Sequence, residues 1–185
     1  MSVDLSKNKS PWPLRMKLRR GVWTYLVEPL VRWLPKSCSP ARVAALRLMG
    51  AHIEPHCTIL PGVRVLMPWN LNLGEHVAIG EGVNLYNFAP ITVGRMSVVS
   101  QFCFLCTGSH DYNRADMPLT YAPIQIGEQA WVAADVYVAP GMQIADGAVV
   151  GARSVVTRSL TEPWAVYAGH PARKLKRREK PQPAP

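Results

Sequence analysis

The chain has 185 residues, enough to bury a real core without a disulfide framework, and its 21 Lys and Arg against 12 Asp and Glu give a formal charge of +9. The charge is uneven: residues 1–50 carry ten basic and two acidic residues, residues 51–170 five and nine, and residues 171–185 six and one. A mildly acidic middle excludes a uniformly basic nucleic-acid-binding domain, and no run approaches the roughly 18 apolar residues of a transmembrane helix.

The opening MSVDLSKNKSPWPLRMKLRR lacks an apolar core followed by a small-residue cleavage site and reads as no secretory signal. Residues 14–34 are apolar at Leu18, Val22, Leu26 and Leu30, with Trp23, Val27, Val31 and Leu34 beside them. This spacing predicts a helix that Pro29 kinks or restarts. A second helix is punctuated by Ser39 as N-cap, Pro40 at the first helical position and Gly50 at the end. Val43, Ala44, Leu46 and Leu48 would supply its apolar side.

From residue 53 aliphatic residues recur every six positions: Ile53, Ile59, Val65 and Leu71, then two residues out of phase Leu73, Ile79, Leu85 and Ile91. Val93, Val99 and Leu105 follow, and after an interruption Ile126, Val132, Val138, Ile144, Val150 and Val156. Six residues make a short strand and a turn, and three such units close a triangular coil whose aliphatics stack on the next coil's in a shared core. Gly or Ala often follows the aliphatic, as at Gly74, Gly80, Gly94, Gly127, Ala133 and Gly151, which suits corners whose backbone angles resist a large side chain. Coil starts at 53, 73, 93, 126 and 144 predict an all-β solenoid of about five coils. The wider gap after 93 leaves a long excursion near 110–123, where a solenoid places function rather than folding. The chain thus divides into a helical, basic extension over 1–50, a repeat domain over 51–165 and a basic C-terminal segment and tail over 166–185.

Cys103 and Cys106 have the spacing of a redox pair or of half a zinc site. No second ligand pair follows at suitable spacing and the pair sits in a strand-like pattern, so reduced thiols and no metal are expected. His110 stands where the regular coil ends, at the natural lip of a cleft, and an imidazole suits removal of a hydroxyl proton near neutral pH. From position alone, a surface histidine with no task is an equal reading.

Four stretches carry a resemblance: Leu105-Cys-Thr-Gly-Ser-His110-Asp-Tyr, Ala130-Trp-Val-Ala-Ala134, Val150-Gly-Ala-Arg-Ser-Val-Val-Thr157-Arg158 and Ala168-Gly-His-Pro-Ala-Arg173. Over roughly residues 50–178 the chain resembles the hexapeptide-repeat acyltransferases, whose fold is a left-handed parallel β-helix. Within them it is most similar to sugar O-acetyltransferases of the galactoside, maltose and nodulation type and to the colanic-acid-biosynthesis acetyltransferases.

The resemblance implies acetyl-CoA as acyl donor, no metal, and a homotrimer with active sites between subunits. It places the catalytic base at His110, with Asp111 orienting the imidazole or binding a sugar hydroxyl. It gives the amide of Ala134 to the developing oxyanion, the amide of Ala152 to the pantetheine arm, and Trp131 to the side of that arm. Thr157, Arg158, Arg173 and Lys176 match the nucleotide end, where Arg and Lys fit phosphate. The rest of the run from Lys174 to Lys180 is expected to be a solvated tail. Acceptor contacts are expected from Asn84, Tyr86, Asn87, Gln101 and Tyr112. Direct transfer in a ternary complex is the expected mechanism, with a covalent route through the nearby Cys106 left open.

The expected activity is therefore O-acetylation of a small-molecule or lipid-linked saccharide in exopolysaccharide or lipopolysaccharide biosynthesis, with no nucleic acid partner. A sugar-nucleotide N-acetyltransferase of the same fold and a non-catalytic binding scaffold are the alternatives. A zinc carbonic anhydrase of this fold would need two His five residues apart, and position 115, five after His110, is Ala. A cytoplasmic location is implied. The basic N-terminal helix is read first as a cap over the open end of the solenoid, and second as a peripheral contact with the inner face of the cytoplasmic membrane.

Overall fold

The computed structural model describes residues 3–7 and 10–179. The hexapeptide positions form short strands on three faces of a prism. The first face stacks His52–Ile53, Leu71–Leu73, Ile91–Val93, Ile124–Ile126 and Gln143–Ile144 in parallel. The second begins at Thr58–Ile59 and runs through Trp131–Val132 to Ala165–Ala168, and the third runs from Arg64–Val65 to Val155–Val156. The predicted coil starts are in register, Ile53 over Leu73, Leu73 over Val93, Val93 over Ile126 and Ile126 over Ile144. Each is buried, so the aliphatic column is the core. Five complete coils are followed by an incomplete sixth, in which Leu160 bridges Ile144 and Ala165–Ala168 pairs with Val149–Val150. The sixth turn escaped the six-residue count because Leu160 follows Val156 by only four residues and the residue over Val150 is Tyr167, seven further on.

The glycines after the aliphatic positions have a different cause from the one spacing suggested. Where a corner has a left-handed residue it comes three positions after the aliphatic, and it is more often a residue such as His76, Met96, Gln129 or Arg153 than glycine. At Gly94 the constraint is instead proximity: a Cβ there would lie 2.6 Å from the Glu128 nitrogen of the next coil. Glycine lets the stacked corners approach.

The N-terminal extension covers the exposed edge of coil one. Helix α1 (Leu14–Val22) runs into a π-turn (Trp23–Val27) and then α2 (Glu28–Arg32), so Pro29 restarts the helix from its first turn. Trp23 is buried and donates its indole N–H to the carbonyl of Val65 at 2.6 Å. Helix α3 (Ser39–Leu48) closes as expected at Gly50, whose φ is +95°: Ala51 N–H bonds the Leu46 carbonyl and Gly50 N–H that of Arg47. Its start differs from the expectation. Ser39 does not cap the helix; its hydroxyl turns to the solenoid and accepts the N–H of Ile59 at 2.9 Å. The buried side also differs, being Ser39, Arg42, Val43 and Leu46, while Ala44 and Leu48 are exposed. Arg42, 2% exposed, donates to the carbonyls of Ile59 and Leu34, and Arg47 donates to that of Ile53. Part of the extension's positive charge therefore serves as hydrogen-bond donors to the open end of the first coil.

The C-terminal run is not a free tail over its described length. Arg173–Arg177 forms an antiparallel strand against Ala165–Ala168, and Arg178 donates to the carbonyls of Gln129 and Gly147. Lys180 and the residues after it lie outside the described residues.

Candidate active site

The excursion leaves the corner between the third and first faces after Phe104–Cys106 and returns at Ile124. It is a hairpin in which Gly108, Ser109 and His110 face Tyr121, Thr120 and Leu119. Gly108 is required at its base, because a Cβ would meet the Phe88 ring at 2.6 Å. Phe88 and Tyr121 each stack on Trp12, at 5.8 and 5.4 Å between centroids, so the N-terminal segment pins the hairpin base.

His110 is exposed, and its Nδ1 lies 2.7 Å from the carbonyl oxygen of Met117 across the hairpin. A carbonyl only accepts, so Nδ1 carries the proton and Nε2 is left with its lone pair. The imidazole is thereby held in the tautomer a general base needs. Sequence reasoning missed Met117, since a backbone carbonyl seven residues away leaves no side-chain signal. Asp111 does not orient the imidazole: its carboxylate accepts the N–H of Asn113 at 3.1 Å and shapes the hairpin tip. Tyr112 is exposed on that tip.

The acceptor residues divide. Asn84 and Tyr86 lie on the third face and line a hollow of about 140 Å³ with Thr24, Glu28, Arg64, Val65 and Leu66. Glu28, Arg64 and Thr24 carried no motif, and only the docking of α2 beside the third face brings them in. Burial pushes the Glu28 carboxyl up, against the opposing pull of Arg32 and Arg64. Asn87 does not belong to this hollow. It is fully buried, with its Oδ1 accepting the N–H of Met67 and its Nδ2 donating to the Met67 carbonyl. Both ends of the amide are spent on joining two coils, which leaves nothing for a sugar.

The residues expected to hold the acyl donor follow a different edge. Gln101, Ala134 and Ala152 stack along the corner between the second and third faces, where Asp135 N–H bonds the Gln101 carbonyl and Arg153 N–H that of Ala134. Neither the Ala134 nor the Ala152 N–H has a hydrogen-bond partner among the described residues. Trp131 is 48% exposed beside this corner, its indole N–H donating to Ser100 Oγ. Gln101 therefore sits with the donor residues rather than with Asn84. Thr157 and Arg158 leave the next corner, and Arg158 shares a hollow with Arg173, Tyr167 and Lys174. Lys174 is ion-paired with Glu162 at 2.7 Å. Lys176 is exposed on the edge strand, opposite Val166.

Cys106 is buried and donates its thiol to the carbonyl of Gly108, and Cys103 donates to that of Ala133. Among the described residues His56, Glu75 and His76 are gathered at the corner between the first and second faces, all exposed, with their ligand atoms within 4.8 Å of one another. That corner belongs to a different edge of the prism from either group above.

A parallel prism of hexapeptide coils, with a His-bearing hairpin at one edge and bare amides at another, defines a class of solenoid acyltransferases. No family model matches the chain. Over 151 residues, 82% of this chain and 82% of the relative, the sequence is 44% identical to the colanic acid biosynthesis acetyltransferase WcaF of Escherichia coli (strain K12). A maltose O-acetyltransferase from Clostridium difficile 630 superposes with a TM-score of 0.81 at 23% identity, covering 91% of this chain and 90% of that one. A hexapeptide-repeat acetyltransferase of Vibrio cholerae O1 biovar eltor, complexed with acetyl coenzyme A, gives 0.79 at 24% identity and covers 92% and 93%. The chain belongs to the hexapeptide-repeat acetyltransferases and has their left-handed parallel β-helix fold.

Proposed function

We propose that this acetyltransferase moves acetyl from acetyl-CoA to a hydroxyl of a saccharide, with His110 as general base. The observation that carries this is the Nδ1–H of His110 bound to the Met117 carbonyl, which leaves Nε2 free to accept a proton. Nε2 takes the hydroxyl proton as the oxygen attacks the thioester carbon. The tetrahedral oxyanion is met by the N–H of Ala134, which has no internal partner. Collapse breaks the carbon–sulfur bond, and the imidazolium returns its proton to the departing thiolate. The products are the acetyl ester and free CoA. Cys106, its thiol turned to Gly108, needs no part in the reaction.

Around this step the Ala152 amide and Trp131 hold the pantetheine arm, while Arg158 and Arg173, lining one hollow, take the phosphates, with Thr157 next to Arg158 in the chain and Lys176 on the strand that begins at Arg173. Asn84 and Tyr86 hold the acceptor in the hollow with Glu28 and Arg64, and Tyr112, exposed on the hairpin tip, is a further contact we assign to it. The name of the 44% identical relative supports a polysaccharide building block, free or lipid-linked, as acceptor.

The site is built between copies of the chain in a homotrimer. The hairpin that carries His110 and the corner that carries Ala134 leave the third face at opposite edges, about 15–20 Å apart at roughly 3.3 Å per residue. A reacting centre must lie within about 3 Å of both base and oxyanion donor. A neighbour's corner brought against the hairpin would bring the two together, which supports a site shared between copies. The test is release of CoA thiol from acetyl-CoA with a panel of saccharides, the product detected by mass. Ester formation on a sugar hydroxyl is expected, and transfer only to an amine would overturn the reading.

A further inference from the structure

The helical extension is apolar on two sides, and the solenoid uses only one. Trp23, Val27 and Val31 pack on the core. Leu14, Leu18, Val22, Leu26, Leu30 and Trp33 point outward, from 45% exposed at Val22 to 74% at Leu30. Residues four apart drift by about 40° per step around an α-helix. The wider π-turn Trp23–Val27 takes back part of that drift and keeps the outward stripe on one side. The solenoid covers only the side of Trp23, Val27 and Val31, so the contiguous outer stripe lacks a cover.

Charge indicates what covers it. Residues 5–27 contain no Asp or Glu. By helical spacing Arg15 flanks the stripe on one side and Lys17 on the other; both are exposed and unpaired among the described residues. A second copy laid stripe to stripe would press these cations together. Anionic headgroups neutralise them, while acyl chains receive the leucines. No helix among the described residues is long and apolar enough to cross a membrane, so contact is in the plane of the interface.

We propose that the outer stripe of α1 and α2 docks this protein on an anionic lipid bilayer. The same segment carries Trp12, stacked on Phe88 and on Tyr121 of the hairpin, so docking holds the His110 hairpin close to the surface. The proposal stands apart from the acyl-transfer reading, because vesicle binding and turnover are measured separately.

The test is co-sedimentation of the full chain with phosphatidylcholine vesicles, with and without about 30% phosphatidylglycerol. Binding is expected only to the anionic vesicles and should weaken in high salt. The triple variant Leu18→Ser, Leu26→Ser, Leu30→Ser should bind about tenfold or more weakly. Its circular dichroism melt and its turnover on a soluble acceptor should be unchanged. Arg15→Glu with Lys17→Glu, which leaves every apolar contact in place, should also lose binding. Equal sedimentation with neutral vesicles, or unimpaired binding by the charge-reversed variant, would overturn the proposal. So would a triple variant that changes assembly size in light scattering while still binding vesicles, since the stripe would then be an interface between copies.

Discussion

The carbonyl oxygen of Met117 accepts the Nδ1–H of His110 at 2.7 Å, across a hairpin that the regular coil does not need. This one hydrogen bond decides which ring nitrogen carries the proton and which keeps its lone pair. In the proposed mechanism, removing this exposed imidazole removes the base and little else. His110→Ala should lower turnover by about 10²–10⁴-fold while acetyl-CoA still binds in calorimetry. Turnover near that of the unaltered protein would show that another group takes the proton.

The separation of His110 from Ala134 predicts complementation between inactive chains. Ala134→Tyr should fill the corner that receives the thioester and be as inactive as His110→Ala. Unfolding and refolding the two variants together should restore activity at roughly one site in four, by random assortment of subunits. Two variants that remain inactive when mixed would place the whole site on one chain.

Asn84 and Asn87, three residues apart, should respond oppositely. Asn87→Ala leaves the buried N–H of Met67 without its partner, while the Met67 carbonyl keeps only the Asn70 N–H, and should cost about 1–3 kcal/mol in a denaturant titration. Asn84→Ala, whose side chain lines the acceptor hollow, should melt normally and raise the KM for the saccharide. An Asn87→Ala variant of unchanged stability would remove it from the joint between coils.

Burial pushes the Cys103 thiol up to about 11. It stays protonated at neutral pH, and its thiolate would appear only in strongly alkaline solution. A thiol reagent near pH 7.5 should therefore label Cys103 only after unfolding. Oxidation should not join it to Cys106: three residues of strand separate their Cα atoms by about 10 Å, beyond disulfide reach. Rapid native labelling of Cys103, or a recovered Cys103–Cys106 peptide, would contradict its place in the core.

Glu28 gives a pH dependence of definite sign. Burial raises its native carboxyl above the unfolded value, so the folded chain holds the proton more tightly. Its contribution is most favourable at acid pH, and is lost as pH rises from the ordinary carboxylate value through the raised native one. Glu28→Gln should flatten the fall in melting temperature between about pH 4 and pH 8. An unaltered slope would mean that the carboxyl is solvated.

Much of the fold was written in local pattern. Ile53, Leu73, Val93, Ile126 and Ile144 had to stack because a six-residue strand-and-turn cannot bury its aliphatic alone, and their spacing already located the interruption that holds His110. Charge counting likewise separated the two basic ends from an acidic middle. What pattern could not reach were contacts between segments distant in the chain. Asn87 and Asn84 look alike in sequence, yet one amide is consumed by Met67 and the other is left facing a hollow. Ser39 has the chemistry of a helix cap, but a sheet edge offers the Ile59 N–H instead. The +9 charge of the opening count resolves the same way: Arg42 and Arg47 answer backbone carbonyls, whereas Arg15 and Lys17 remain on the surface. A residue's type sets what it can bond, and only the tertiary structure sets which group arrives first.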